Sequence, residues 1–381
     1  MIVRALQGIY RINLGVKRQE RVLVFNDTPS PAEEDIAYDD LCRRTRLRDI
    51  TLLTAEVGKA FARRVLYYEF PATGSHGAEP PAGLWECAFG EKTVVALRKA
   101  KLLSPLLKKK IPDAGLRKAE EIIAHHKKYA VDAVIALSNY STSHTRFRDL
   151  LTRVCGCRYA SMPLFDASML EGAMNTEWRT LAKRTTALAR EVNRAESVEI
   201  HTSNGTRITL SKRGRKALAD TGILTKKGAF GNLPAGEVFF APREGTAEGT
   251  LVLEWAPTRE LRSPLTLTVR NGIVQDIAGD EPFGDLLRAK LGEKRENGNI
   301  AELGIGTNDR ARRPDSILET EKILGTVHIA LGDNSSFGGI VKTPFHQDFI
   351  FFRPTVVLTL KDGSKRELLR EGTVPFPPDL K

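Results

Sequence analysis

Three two-residue turn signals in the second half of the chain limit its fold more than any other feature. They are the dipeptides Asn204-Gly205, Asn271-Gly272 and Asp362-Gly363. Each separates runs of alternating apolar and polar residues. This pattern is typical of tight β-hairpins, because both central residues of such turns need positive φ. The three turns predict antiparallel sheet in this half of the chain, with one helix at about 282–297.

The first half of the chain has a different pattern. ERVLVFND (20–27) and AVDAVIALSNYS (130–141) are short apolar runs that lead into polar turns, which is typical of buried strands. Residues 177–196 have apolar positions at helical spacing and predict a helix. Strands that alternate with helices predict a mostly parallel sheet between helical layers. We therefore expect a three-layer α/β domain over 1–196 and an α+β domain over 197–381.

Composition and charge argue against several classes of function. The net charge is +11, but no nucleic-acid-binding motif accompanies it, so nucleic acid is not an expected partner. No apolar run has the ~18 residues that a membrane span needs, and no signal-peptide pattern is present. The four scattered cysteines are interpreted as ordinary thiols, which predicts a cytoplasmic setting. No GxGxxG motif follows the first strand, which argues against a nicotinamide cofactor.

The segment PFHQDFIFF contains the strongest sign of chemistry. Its apolar and aromatic residues predict a strand, on which His346 and Asp348 would project from one face about 7 Å apart. Such a pair can bind one ion, or two neighbouring ions, from the same side. Because an isolated HxD pair is more often a surface feature, its interpretation depends on the rest of the domain.

Three further segments place polar groups in apolar surroundings. TVHIALGDN contains His328, NIAELGIGTN contains Glu302, and LPAGEVFFAP contains Glu237. A buried carboxylate is costly without a partner, so each glutamate needs one. Two histidines and three carboxylates in one domain are a ligand set suited to zinc, manganese or iron.

The order of these segments resembles that of a known family. GEVFFAP, AELGIGTN, GTVHIALGDN and HQDF follow one another as they do in the thermophilic metallo-aminopeptidases, the family of aminopeptidases T and S. The resemblance has specific motifs over roughly residues 195–355. It extends to the first half of the chain only through the fold class. The chain is identified as a divergent member of that family.

The resemblance implies a dinuclear metal centre in the C-terminal domain and a homodimer. The implied ligands are Glu237, Glu302, His328, His346 and Asp348. Two zinc, manganese or cobalt ions would activate a shared water that releases the N-terminal amino acid of a peptide. Glu237 and Glu302 are also the implied catalytic residues, because either could shuttle the proton.

The residues expected to contact a peptide or small-molecule substrate are less well marked. The family's tyrosine, seven residues after its first histidine, is Ser335 here. Asn308 and Arg310 follow the GIGT segment, and Arg310 could meet an acidic group. These three are the predicted substrate-binding residues.

Two other functions stay open at this point. His328, His346 and Asp348 also match the two-histidine, one-carboxylate set that holds a single Fe(II) in non-haem iron enzymes. A ring-cleaving dioxygenase of dihydroxypyridines is similar to this peptidase family, and FGGIVKTPFHQD resembles that branch as well. The remaining interpretation is a catalytically inactive protein of the same fold that binds a peptide or another partner.

Overall fold

The computed structural model describes residues 2–373 of the 381-residue chain. The chain divides into two compact units and passes between them three times. The first unit contains the residues up to Asn175 and the segment Gly222–Pro234. The second unit contains Thr176–Thr221 and the residues from Ala235 onward.

The described residues contain ten α-helices. They are α1 Ile2–Gly8, α2 Tyr38–Gly58, α3 Ala82–Phe89, α4 Glu91–Lys99, α5 Leu103–Leu107, α6 Asp113–His126, α7 Arg146–Arg153, α8 Trp178–Asn193, α9 Pro282–Glu293 and α10 Ile317–Thr320. Within residues 2–373, each helix is too short or too polar to span a membrane.

The same residues contain seventeen strands. They are β1 Arg21–Thr28, β2 Arg64–Pro71, β3 Ala133–Ala136, β4 Arg158–Ser161, β5 Ala195–His201, β6 Arg207–Ser211, β7 Leu218–Asp220, β8 Phe230–Asn232, β9 Glu237–Phe240, β10 Glu248–Ala256, β11 Arg259–Arg270, β12 Ile273–Ala278, β13 Ile300–Gly306, β14 Val327–Gly332, β15 His346–Phe351, β16 Thr355–Leu360 and β17 Lys365–Leu369.

The first unit is built on a five-stranded sheet in the order β2-β1-β3-β4-β8. Neighbouring strands are parallel throughout. The central strand β1 is buried along most of its length, as its continuous apolar run predicts. Helical aromatic side chains, including Trp85, Phe89 and Phe147, pack with Tyr159 of β4 in a fully buried core. The predicted α/β fold with a parallel sheet is confirmed.

The second unit contains two antiparallel sheets. One has the strand order β12-β11-β10-β6-β5-β16-β17, and the other, here called the site sheet, has the order β15-β14-β13-β9-β7. The three predicted turns connect β5 to β6, β11 to β12 and β16 to β17. Asn271 and Gly272 have φ of 50° and 73°, the positive values that such a turn requires. The predicted antiparallel half is confirmed.

The division between the units differs from the expected boundary at 196. The helix α8 belongs to the second unit, because its side chains Leu188 and Val192 are buried in the apolar core of the antiparallel sheets. The segment Gly222–Pro234 belongs to the first unit, where it supplies the short strand β8. Neither feature is marked by a change of composition in the sequence.

Candidate metal centre

The predicted metal ligands share one face of the site sheet. Directly opposed residues of an antiparallel pair point to the same side of the sheet. Glu302 on β13 lies opposite Ala330 on β14, and Ala330 lies opposite Asp348 on β15. His346 is two residues before Asp348 on the same strand and therefore points the same way. The sheet thus places two acids and a histidine side by side.

Two glycines of β13 make room for the remaining ligands. His328 on β14 lies opposite Gly304, and Glu237 on β9 lies opposite Gly306. A Cβ atom on Gly304 would lie 1.9 Å from Nε2 of His328. Only glycine at this position lets the imidazole lie across the neighbouring strand.

The first group of three ligands, the inner set, consists of Glu237, Glu302 and His328. One ligand atom from each lies within 4.8 Å of the others. Nε2 of His328 is 3.2 Å from Oε2 of Glu237 and 3.6 Å from Oε1 of Glu302. All three residues are buried, with exposed fractions of 8% or less.

The second group, the outer set, consists of Glu302, His346 and Asp348, again within 4.8 Å of one another. Nε2 of His346 is 3.6 Å from Oε2 of Glu302 and 3.4 Å from Oδ2 of Asp348. Nδ1 of His346 lies 2.7 Å from the carbonyl oxygen of Asp333, which turns Nε2 toward the acids. The side chain of His346 is 33% exposed, so the outer set opens to solvent.

Glu302 belongs to both sets and contributes one oxygen to each. The two histidines are divided between the sets. The group of His328, His346 and Asp348 that the sequence suggested for a single iron is therefore not gathered as one set, and Glu302 takes the place of His328 beside the other two.

The unpaired atoms of the inner set test whether a metal ion fits. Oε2 of Glu237 and both ring nitrogens of His328 are buried and have no hydrogen-bond partner among the described residues. Buried polar atoms are nearly always paired, so such a group needs a ligand or an ion. Imidazole nitrogens and carboxylate oxygens are the donors that divalent zinc, manganese and iron accept. The residues fit a divalent metal ion.

The electrostatics agree with a cation site. Burial lowers the pKa of His346, but the carboxylates of Asp348 and Glu302 outweigh burial and raise it to about 10. Burial raises the pKa of Glu302. Burial alone would raise the pKa of Glu237. The positive charges of Lys322 and His328 outweigh burial, so the pKa of Glu237 is below its ordinary value. Cations therefore hold this cluster of acids together.

Two residues at the site were not predicted as ligands or catalytic groups. Lys322 is fully buried, and its Nζ lies 3.0 Å from Oε1 of Glu237 and contacts the carboxylate of Glu321. Burial and the nearby acid Asp348 together raise the pKa of Glu321 to about 8, although the ammonium group of Lys322 opposes them. A Cβ atom on Gly306 would lie 2.0 Å from the carbonyl oxygen of Ile323. The segment that contains Glu321 and Lys322 can therefore pack against the sheet only because residue 306 is glycine. In the sequence, the charged string ETEK alternates like the outer face of a strand, which is only a weak sign of a site.

The predicted substrate-binding residues have structural contacts of their own. Asn308 is buried; its amide donates to the carbonyl of Ala235, and its oxygen accepts from the backbone N–H of Arg310. The hydroxyl of Ser335 donates to Asp333 at 3.0 Å. Ser335 and Arg310 are exposed. A role of these residues in substrate binding stays a prediction.

Two phenylalanines form an aromatic wall beside the outer set. The ring of Phe337 meets that of His346 edge to face, with centroids 6.1 Å apart at 89°. Phe239 meets Phe337 at 5.8 Å and 72°. Phe239 lies opposite Gly304 and so on the ligand face, and both phenylalanines are half-buried. The centre therefore has one apolar, aromatic side.

Fold and site together define a class: a two-unit α/β protein with a cluster of histidines and carboxylates, suited to a metal ion, on an antiparallel sheet. The model of the NicX family, 2,5-dihydroxypyridine 5,6-dioxygenase, matches residues 116–374. The chain belongs to this family.

Comparisons with individual proteins agree with the family match. Over 183 residues the chain is 26% identical to a 2,5-dihydroxypyridine 5,6-dioxygenase of Pseudomonas putida KT2440, a match that covers 44% of this chain and 52% of that protein. The chain thus spans about half the length of this curated relative. A 2,5-dihydroxypyridine dioxygenase structure from the same organism has a TM-score of 0.69, 19% identity, and coverage of 100% of this chain and 98% of the other. The wild-type AmpT of Thermus thermophilus has a TM-score of 0.57 and 15% identity, with coverage of 98% and 99%.

These findings correct the expected activity. The structural likeness to AmpT, an aminopeptidase T, supports the predicted relationship of fold, but the family model that matches the chain is that of 2,5-dihydroxypyridine 5,6-dioxygenase. The prediction of a hydrolase, an aminopeptidase and metalloprotease, is wrong, whereas the prediction of an enzyme is confirmed. The error has a physical cause: the same imidazoles and carboxylates can serve either chemistry, so the order of motifs reported the shared fold.

Proposed function

We propose that this chain is a ring-cleaving dioxygenase that adds both atoms of O2 to a hydroxylated pyridine, with one Fe(II) as its metal. The observation that carries the proposal is the family match over residues 116–374, which contains every residue of the inner and outer sets. The named substrate of the relatives, 2,5-dihydroxypyridine, is the first compound to test.

The outer set is the proposed site of the ion. Glu302, His346 and Asp348 offer one imidazole and two carboxylates, and an iron site with three protein ligands keeps positions open for other molecules. Fe(II) held there would supply the redox chemistry between O2 and the ring. The carbonyl of Asp333 fixes the orientation of the His346 ring, and the partial exposure of this side chain leaves a route for the substrate.

The aromatic wall supports a flat, unsaturated substrate. Phe239 and Phe337 offer ring faces and edges at the border of the outer set. Aromatic rings attract one another in offset and edge-to-face arrangements, beyond the gain from burying apolar area. A pyridine ring in contact with Phe337 would lie close to the groups that hold the ion.

The test is oxygen consumption by the full chain, purified without oxygen and loaded with Fe(II). With 2,5-dihydroxypyridine we expect one O2 consumed per ring and, with isotopically labelled O2, both oxygen atoms in the open-chain product. His346→Ala, treated identically, should consume no oxygen above background. A chain that retains iron but consumes no oxygen with any dihydroxypyridine would refute the proposal.

A further inference from the structure

A long loop between β14 and β15 carries half of the aromatic wall. This segment, residues 333–345, is called the wall loop here, and it contains Phe337, whose ring meets that of His346. It has no helix or strand of its own. Loops of this length without secondary structure are uncommon in compact domains and usually serve a function. The contacts that keep this loop folded therefore decide how firmly Phe337 is placed beside the candidate metal centre.

The base of the wall loop is held by its own set of hydrogen bonds. The backbone N–H of Asp333 donates to the carbonyl of Phe345 at 2.8 Å, and the backbone N–H of Thr343 donates to Oδ2 of Asp333 at 3.0 Å. The hydroxyl of Thr343 donates to the amide oxygen of Asn297. These contacts fix Asp333, whose carbonyl oxygen faces Nδ1 of His346. The base of the loop is thus sufficient to orient this candidate ligand.

The middle of the wall loop is held by a carboxylate from outside it. Oε1 of Glu244 accepts from the amide of Asn334 and from the backbone N–H of Ile340, each at 2.9 Å. The other oxygen of Glu244 contacts the guanidinium group of Arg215, and both side chains are mostly buried. Burial would raise the pKa of Glu244, but the hydrogen bonds from Ile340 and Asn334 outweigh it, so the carboxylate stays charged. Hydrogen bonds to an ionised acceptor are roughly twice as strong as neutral ones.

Asn334 transmits this contact to the shape of the loop. Its side chain is fully buried, its amide oxygen accepts from the backbone N–H of Val341, and its carbonyl oxygen accepts from that of Gly339, each at 2.9 Å. A Cβ atom on Gly339 would lie 1.9 Å from Cγ of Asn334, so the loop closes around this side chain only because residue 339 is glycine. Phe337 lies within the segment that closes in this way, and its ring is directed at His346.

We propose that Glu244 is a positioning residue for the substrate: by holding the middle of the wall loop, it keeps Phe337 against the centre and sets the affinity for a flat ring. The identity of that ring as a dihydroxypyridine rests on the proposed function, whereas the role of Glu244 in the loop does not. Glu244 acts through Asn334 and Phe337. A loop that is folded before the substrate arrives avoids the cost of being ordered on binding.

The first measurement separates ring binding from turnover. Oxygen consumption by the full chain loaded with Fe(II) is followed over a range of 2,5-dihydroxypyridine concentrations. Glu244→Ala should raise KM about ten-fold and leave kcat within about three-fold, the pattern of lost ring binding. Glu244→Gln keeps an oxygen for both loop hydrogen bonds and should raise KM by less than about three-fold. Glu199→Ala, which removes another arginine-paired carboxylate of the second unit, is the matched control and should behave as the wild type.

The second measurement needs no activity. Lys342 is exposed in the wall loop, so trypsin can cleave after it whenever the loop opens. In Glu244→Ala this cleavage, followed by mass spectrometry, should be at least about ten-fold faster than in the wild type. Because the base of the loop orients His346, the affinity for Co²⁺, measured by calorimetry without oxygen, should stay within about three-fold. A loss of Co²⁺ affinity beyond about ten-fold would show that Glu244 supports the metal ligand instead and would overturn the inference.

Gly339→Ala guards against a Glu244→Ala variant that does not fold. It breaks the same contact from the side of the exposed loop, and it should raise KM and the rate of cleavage after Lys342 in the same way. The link to Phe337 is tested by a double variant. If Glu244 acts through Phe337, Glu244→Ala combined with Phe337→Ala should have the KM of Phe337→Ala alone.

Three results would each overturn the inference. They are an unchanged KM in folded Glu244→Ala, cleavage after Lys342 at the wild-type rate in that variant, and additive effects of the two substitutions in the double variant. A wild type that consumes no oxygen would remove the proposed function alone. In that case faster cleavage in Glu244→Ala with unchanged Co²⁺ affinity would still support the role of Glu244, and cleavage at the wild-type rate would overturn it.

Discussion

The protein buries charged side chains in both of its units, but it pairs them differently. In the first unit, the loop network consists of Asp27, Glu33, Arg44, Asn139 and Tyr140. The carboxylate of Asp27 accepts the backbone N–H groups of Asn139 and Tyr140. Arg44 donates to both oxygens of Glu33 at 2.8 and 3.0 Å, and the Tyr140 hydroxyl donates to the same carboxylate. These charges are compensated within the chain.

The candidate metal centre of the second unit is compensated only in part, by Lys322 beside Glu237 and by His346 beside Asp348. Glu237, Glu302 and Asp348 lie close together, and both ring nitrogens of His328 have no hydrogen-bond partner among the described residues. The loop network and the metal centre are both polar and mostly buried. Both clusters contain buried charges, so buried charge alone does not mark a ligand site. The difference is that some buried polar atoms of the second cluster lack hydrogen-bond partners among the described residues, as expected for a site that binds a ligand.

The largest expected effect comes from removing a ligand. His346→Ala should weaken metal binding by at least about a hundred-fold, since loss of a group that merely supports a ligand already costs 10–100-fold. The free energy of unfolding of the metal-free protein should change little. Calorimetric titration and urea unfolding measure the two quantities, with His125→Ala on α6 as the control. Unchanged metal affinity would show that His346 is not a ligand.

The next largest effect is expected from a substitution in the loop network of the first unit. Arg44→Met leaves Glu33 without its bidentate partner and should lower the free energy of unfolding by about 2 kcal/mol. Metal affinity should stay within about two-fold of wild type, because only the second unit holds the ligands. Urea unfolding measures the loss. Arg46→Met, which removes a half-exposed side chain 3.9 Å from Asp166, should cost less than about 0.5 kcal/mol. Equal losses in both variants would contradict the role given to Arg44.

A smaller effect follows from filling the space under His328. Gly304→Ala places a methyl group 1.9 Å from Nε2 of His328, so the ring must move and disturb Glu302. We expect a loss of metal affinity of about ten-fold, measured by competition with a metal-binding dye. Gly292→Ala, where no atom lies within 4 Å of the added methyl, is the control. Wild-type affinity in Gly304→Ala would mean that His328 does not position the acids.

The smallest expected effect is the number of protons that the protein releases when a metal ion binds. Because the pKa of His346 is raised to about 10 in the metal-free protein, its ring is protonated at pH 7.5 and must lose a proton to bind an ion. We expect about one proton released per ion at that pH, and no release from this group once the pH exceeds its pKa. Calorimetric titration in buffers of different ionisation enthalpy measures the count. Zero release at pH 7.5 would contradict the raised pKa.

Local sequence patterns predicted most of the fold and the residues that the structure brings together at the candidate metal centre. Asn271 and Gly272 form the expected turn because few other pairs adopt its backbone. His346 and Asp348 lie on one face because the period of a strand leaves no other arrangement.

Contacts between residues far apart in the sequence determine the parts of the fold and of the candidate site that local patterns did not predict. Lys322 enters the site because Gly306 lets the following segment pack down onto the sheet, and no local pattern encodes that approach. The division of His328 and His346 between two sets depends on register across three strands. The family needed comparison with known proteins, because peptidases and dioxygenases can use the same ligand types.

The interrupted path of the chain has a consequence for how such a protein can be altered or inherited. Because Gly222–Pro234 returns to complete the parallel sheet, no single cut of the polypeptide separates the two units intact. A fragment starting at residue 197 would lack α8 and would retain β8 without β4, the strand with which it pairs. Recombination that grafts this metal centre onto another scaffold must therefore excise or replace an internal stretch as well as choose a terminus.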